Sequence, residues 1–297
     1  MTNLDSLLSW LSDSVSESNN GRYRHRHLEE DSSQRCEIIE DLRSYVQAAH
    51  EDARRRLRKL AGISLDPLDF TVENDPAEGY PERLHIRTLK GYFGEIFAGL
   101  VAENFRPFGQ GGWKVPAFLF RYHLVEFQQL EAMRQTGEKA SLRPGRTGDD
   151  CLAFQLNDEG RIIRSLYCEA KCTPGHDSGM ITEAYKKVSE AVIVDIPQLI
   201  EVLEECDDPT SLQWVKALRQ MWLQGPRRDC ERHDFVSYVC GHSPVHSDRR
   251  NWMPTDKPHK KYKAKRRLEA VEIHLQDVED LIRYVYSKKD EEDDSTN

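Results

Sequence analysis

The sequence predicts an α/β protein with a helical N-terminal extension, on three observations. Residues 150–172 read as a β-hairpin, with the apolar and β-branched runs DCLAFQL and IIRSLYCEAKC on either side of the acidic-glycine turn NDEG. Ahead of it, residues 87–104 (RTLKGYFGEIFAGLVAEN) repeat apolar positions at helical spacing. Behind it, helical patterns alternate with two further apolar runs, FVSYVCG and AVEIHL. Strands interleaved with helices in this way are the pattern of an α/β sheet.

Taken from the start, residues 4–12 have the spacing of a short amphipathic helix, and the Ser-, Asn-, Arg- and His-rich stretch from Ser14 to Gln34 reads as a linker. Ile38, Ile39, Leu42, Tyr45 and Val46 predict a helix over 36–60 whose second half, with Arg54, Arg55, Arg56, Arg58 and Lys59, is strongly charged. Pro67, Pro76, Gly79 and Pro81 predict loops over 62–86, with one short strand at 69–72. The helix over 87–104 turns Leu89, Phe93, Ile96, Phe97, Leu100 and Val101 to one side. On its other side Gly91, Ala98, Gly99 and Ala102 leave Glu95 projecting from a surface trimmed of bulk. Glycine is poor in helix interiors, so such a surface suits the close approach of another backbone or of a ligand. A second helix over 117–135 precedes the hairpin. After the hairpin come a helix capped at Asp177 or Ser178, a short strand over 192–196, helices over 197–205 and 211–224, and a last amphipathic helix from Asp277 to Tyr286. The expected division is a helical extension with linker over 1–62, an α/β domain over 63–287 and an acidic, disordered tail over 288–297.

Composition narrows the classes. The chain has 297 residues, enough for a full core without disulfides or a structural metal. Seven cysteines without regular spacing do not read as a secreted disulfide framework, so reduced thiols and a cytoplasmic location are expected. The N-terminal segment lacks a basic region and its apolar stretch is broken by Asp5 and Asp13, so neither a signal peptide nor a membrane anchor is expected. A net charge of -9 argues against a basic nucleic-acid coat protein. Distribution matters more than the sum: much of the acid sits in the tail, while Lys257, Lys260, Lys261, Lys263, Lys265, Arg266 and Arg267 crowd into the run KPHKKYKAKRR. That run suits a clamp on phosphates that does not read sequence, and equally a solvated loop.

The hairpin carries the chemistry. If Glu159 and Gly160 form a two-residue turn, paired positions sum to about 319, and Asp150 lies opposite Glu169. Residues two apart share a face, so Lys171 joins Glu169 there. Hydrolysing a phosphodiester at neutral pH calls for a divalent cation held by carboxylate oxygens, and an ammonium beside the attacked phosphate stabilises the charge that develops. Asp, Glu and Lys at one end of a hairpin meet both needs, and Glu95 on the preceding helix is a further candidate ligand. The plain alternative is a cross-strand ion pair in which Asp150 merely opens a strand. A bare E-x-K occurs about once in a chain of this length by chance, so the weight rests on the register-matched Asp and on the small-residue helix. Cys230, His233, Cys240, His242 and His246 invite a zinc reading, but their spacing matches no common zinc motif.

GYFGEIFAGL, then GDDCLAF, then YCEAK, in this order, resembles the core of the PD-(D/E)XK superfamily. The resemblance covers about residues 88–195. It implies a restriction-endonuclease-like mixed sheet flanked by helices on both faces, and a metal-dependent endonuclease using Mg²⁺ or Mn²⁺. Glu95, Asp150 and Glu169 are then the metal ligands and Lys171 the group that assists the attacking water. Within the superfamily the sequence is most similar to the nuclease subunits of bacterial antiphage systems of the Hachiman HamA type, which implies DNA as substrate and a helicase as partner. No Pro precedes the Asp, and Asp149 stands beside it, so a turn one residue longer would put Asp149 in its place.

Overall fold

The computed structural model describes residues 7–60, 75–122, 150–191, 193, 195–206, 208–223, 230–244 and 251–287. In it the N-terminal stretch is no linker. A single turn, α1 (Leu7–Trp10), leads into β1 (Leu11–Glu17), and β2 (Tyr23–Glu30) returns antiparallel to it. The expectation of a purely helical extension is therefore corrected: this segment supplies two strands of the main sheet. Neither shows apolar alternation, for different reasons. β1 is an edge strand with Ser12 to Glu17 exposed, so nothing demands apolar side chains. β2 buries His25 and Arg26, and each meets a carboxylate of the neighbouring strand: Glu272 lies 3.5 Å from His25, and Glu269 accepts from Arg26 Nε at 2.9 Å.

The helix expected over 36–60 is two, α2 (Arg35–Ala49) and α3 (Glu51–Leu60), meeting at His50. α4 (Ile86–Asn104) follows, its first turn capped by His85, whose Nδ1 accepts from the Arg87 N–H. Then come the hairpin β3 (Cys151–Leu156) and β4 (Ile162–Thr173), and α5 (Ser178–Glu190), capped by Asp177 as its sequence suggested. α6 (Ile196–Glu204), α7 (Pro209–Leu223), β5 (Glu231–Cys240), β6 (Leu268–His274) and α8 (Val278–Tyr286) complete the chain. Residues 193 and 195 are in no strand, and 120–122, inside the expected second helix, form a 3-10 turn. Residues 117–119, at the start of that expected helix, are in no helix, and the strand at 69–72, the remainder of the helix from 123, Asp149, His246 and the acidic tail lie outside the described residues.

The protein is α/β, with one mixed sheet in the order β1-β2-β6-β5-β4-β3. The four inner strands are parallel and the two edges antiparallel. Helices cover both faces. Cys168, Ala170 and Cys172 of β4, with Phe235 and Val239 of β5, pack into one core with α2, α3, α4 and α8. Tyr167 of β4, with Val236, Tyr238 and Cys240 of β5, faces the other core, built with α5, α6 and α7. Cover on both sides explains why the inner strands β5 and β6 are buried almost throughout, so that their polar residues, among them Asp234, Glu269 and Glu272, are enclosed with partners. Among the described residues, no helix is long and apolar enough to cross a membrane.

One buried group makes the fold sensitive to acid. His233 is fully buried, its ring stacked on Phe108 at 4.6 Å and edge-on to Trp113. Burial pushes its pKa down to about 4, against the pull of Glu231. Between that value and the ordinary 6.5 the unfolded chain takes up a proton that the folded chain refuses. Stability present above pH 6.5 is therefore lost as pH falls toward 4, by on the order of 2–3 kcal/mol. We expect His233→Phe, which cannot titrate, to flatten the melting temperature across that window. An equally steep acid limb in the variant would remove His233 as its source.

Candidate active site

The hairpin delivers the register that the sequence suggested, by a different route. The turn is the four-residue Asn157–Gly160, with the Gly160 N–H donating to Asn157 O, and Leu156 faces Ile162. A bulge between Gln155 and Leu156 then shifts the pairing by one residue, so that Cys151 faces Cys168. The two departures cancel. Continued one step past the strand, the register brings Asp150 beside Glu169, and Asp150 Oδ2 accepts from the Ala170 N–H at 2.9 Å.

Glu169 and Lys171 point to the α5 side of the sheet. Glu169 is completely buried, and Lys171 Nζ donates to its Oε1 at 2.8 Å. A second ammonium, from Lys187 on α5, lies 2.9 Å from Glu169 Oε2 and 3.3 Å from Asp150 Oδ1. Glu183, one helical turn before Lys187, comes within 4.0 Å of Lys171. Burial, then the charge of Asp150, lifts the Glu169 carboxyl to about 7, against the opposing pull of Lys171 and Lys187. Lys187 answers in kind: burial would lower its pKa, but Asp150 and Glu169 outweigh burial and raise it. Lys187 had no distinguishing mark in the sequence beyond its spacing of four residues from Glu183.

Glu95 is not brought to this cluster. α4 packs on the face of Cys168, Ala170 and Cys172, opposite to that of Glu169 and Lys171. Its charge acts instead on Cys151 and Tyr286, on its own side of the sheet. The small residues of α4 serve packing. A Cβ on Gly94 would stand 3.3 Å from that of Cys172, and one on Gly99 only 2.8 Å from the Phe118 ring. The geometry thus unites Asp150, Glu169 and Lys171, adds Lys187, and leaves Glu95 across the sheet.

Do these residues suit a divalent cation? Glu169 Oε2 is buried and takes part in no hydrogen bond; the nearby Lys187 ammonium satisfies it by charge alone, outside hydrogen-bonding directions. A buried carboxyl oxygen without a directed donor, close to a second carboxylate, is a donor pair that hard cations use once the carboxyl has lost its proton. Among the described residues, no group of three or more His, Cys, Asp or Glu side chains is arranged around a common metal position, which also leaves the zinc reading of Cys230, His233, Cys240 and His242 without support.

The basic run divides. Arg266 is committed to the fold, its guanidinium paired with Asp234 at 2.8 Å and donating to Val188 O and Ser189 O. Arg267 donates to Gly21 O and lies over the Phe108 ring. Lys257, Lys260, Lys261, Lys263 and Lys265 are exposed. Backbone N–H groups of Lys263 and Ala264 donate to Ser189 Oγ, which fastens the lysine segment to the end of α5, two residues beyond Lys187. No family model and no curated protein matches this sequence.

Proposed function

We propose that this chain is a metal-dependent nuclease of the restriction-endonuclease-like type, cutting or nicking DNA, with a helicase as partner in antiphage defence. The observation that carries the reading is the meeting of Asp150, Glu169 and Lys171 at one end of the β3–β4 hairpin. Asp150 and Glu169 would hold Mg²⁺ or Mn²⁺, which supplies charge neutralisation at the phosphate and a more acidic water. Burial of Glu169 keeps its carboxylate out of bulk solvent, where its charge acts in a lower dielectric. Lys171, held by Glu169 Oε1, keeps an ammonium directed at the place where negative charge develops.

The test is cleavage of linear, circular and single-stranded DNA and of RNA by the full chain, with Mg²⁺, Mn²⁺ or chelator, alone and with an adjacent-gene helicase. Cutting that chelator stops supports the reading. A second reading, a nuclease-like subunit that binds nucleic acid without cutting it, is favoured by the seat of Glu95 across the sheet. Intact binding with no cutting under any of these conditions would select it.

Either reading gives the exposed lysines phosphates to neutralise. Replacing Lys260, Lys261, Lys263 and Lys265 by Ala is expected to weaken DNA binding and to flatten its salt dependence, by about 0.9 in log–log slope for each phosphate that the variant no longer neutralises. Binding isotherms across a salt series measure this, and an unchanged slope would take the segment off the nucleic-acid surface.

A further inference from the structure

We propose that Lys187 is a built-in counter-ion that occupies the space between Asp150 and Glu169 and must swing out before a divalent cation can enter. The inference rests on the nuclease reading of the same site and adds to it a residue that sets metal affinity. Its ground is position: the Lys187 ammonium touches one oxygen of each carboxylate, Asp150 Oδ1 at 3.3 Å and Glu169 Oε2 at 2.9 Å. Lys171, by contrast, takes the other Glu169 oxygen and so leaves the shared space open.

Charge and mobility point the same way. Asp150, Glu169 and the more exposed Glu183 face Lys171 and Lys187, so the two ammoniums offset most of the pull that the buried carboxylate pair would exert on a cation. Removing one ammonium leaves a net negative pair, to which a divalent ion is drawn strongly at this range. Lys187 is the one built to leave. Its side chain is 34% exposed against 18% for Lys171, and of its two carboxylate contacts only the one to Asp150 Oδ1, at 3.3 Å, has the direction of a hydrogen bond. A lysine carries its charge on a flexible four-carbon stem, so the ammonium reaches water without any movement of α5. Once outside, it adds to the positive surface that the Lys263 segment forms along the end of the same helix.

The experiment is a Mn²⁺ titration of the full chain without nucleic acid, followed by calorimetry and by thermal melting, on the parent, Lys187→Met, Lys187→Gln, Lys187→Arg and Glu169→Gln. Lys187→Met and Lys187→Gln are expected to bind Mn²⁺ at least about tenfold more tightly than the parent, as removal of an opposing unit charge at contact distance requires. Both should melt lower than the parent without metal and recover with it, because the bare carboxylate pair then depends on the ion. Lys187→Arg, which keeps the charge, should gain no affinity, and Glu169→Gln should lose binding. Two neutral replacements guard against one that packs badly. Unchanged or weaker Mn²⁺ binding in both, with Glu169→Gln still abolishing it, overturns the role of Lys187 and leaves the metal site standing. No Mn²⁺ binding in any form, including the charge-relieved variants, overturns this role and the metal-dependent reading together.

Discussion

Lys171→Ala is expected to lower metal-dependent cleavage by about 10²–10³-fold, the usual loss when one preorganised charge is withdrawn from a transition state. Affinity for uncut DNA should change little, since a group that acts on charge developing during attack contributes mainly to turnover. The fold should persist, with a modest drop in melting temperature that Mn²⁺ reverses, because Lys171→Ala, like loss of Lys187, leaves the buried Glu169 short of an ammonium without opening an apolar core. Glu169→Gln should be equally inactive through a different loss, that of a cation ligand. It should melt no lower than the parent, because its surroundings already disfavour the carboxylate charge and hold its pKa at about 7. The two variants then separate by metal titration, with Lys171→Ala keeping metal and Glu169→Gln losing it. Undiminished metal-dependent cleavage in Lys171→Ala would place the chemistry elsewhere in the chain. Inactivity accompanied by a large drop in melting temperature would show a packing role for the lysine stem.

What the sequence makes legible follows from which physical constraints are local. Alternation in β4 fixes Glu169 and Lys171 to one face whatever the rest of the chain does, so that pairing is readable from the E-x-K spacing. The position of Asp150 beside them is readable only because a four-residue turn and a bulge at Gln155/Leu156 offset each other. Which face α4 covers depends on connectivity, so the sequence leaves Glu95 a candidate ligand, whereas α4 packs on the face of Cys168, Ala170 and Cys172, opposite Glu169. A clue is present: the even-numbered residues Cys168, Ala170 and Cys172 are small and apolar and suit a glycine-bearing helix, whereas the odd-numbered face carries the charges. β1 and β2 are illegible for the opposite reason, since an edge strand and a strand whose buried His25 and Arg26 meet acids from β6 both lack apolar alternation. Lys187 sits beside Lys186 in a charged helix, and only the packing of α5 on the sheet tells the two apart.

Gly241→Ala is expected to cost about 3 kcal/mol, at the upper end of what overpacking usually costs. β4 and β5 run parallel and end together, and the chain leaving β4 at Pro174 crosses directly over Gly241. A Cβ on Gly241 would stand 2.4 Å from Pro174 O and 3.0 Å from its carbonyl carbon. Both are backbone atoms, so no side-chain rotation relieves the overlap. The Gly241 N–H also donates to Thr173 O at 3.1 Å, and that bond holds the two strand ends at the distance where the clash occurs. Relief requires the end of β4 to move, and Lys171 is only two residues before Thr173. The substitution should thus lower the melting temperature by about 6–12 °C and, in the survivors, weaken cleavage. Gly175→Ala is the matched control, one residue beyond Pro174, where the nearest atom to a new Cβ is His242 Nε2 at an ordinary 3.9 Å. Differential scanning calorimetry on both variants decides the matter. Equal melting of the two would mean that the ends of β4 and β5 separate freely, and that the position of Lys171 is held by its contacts with Glu169 and Glu183 rather than by the crossing at Pro174.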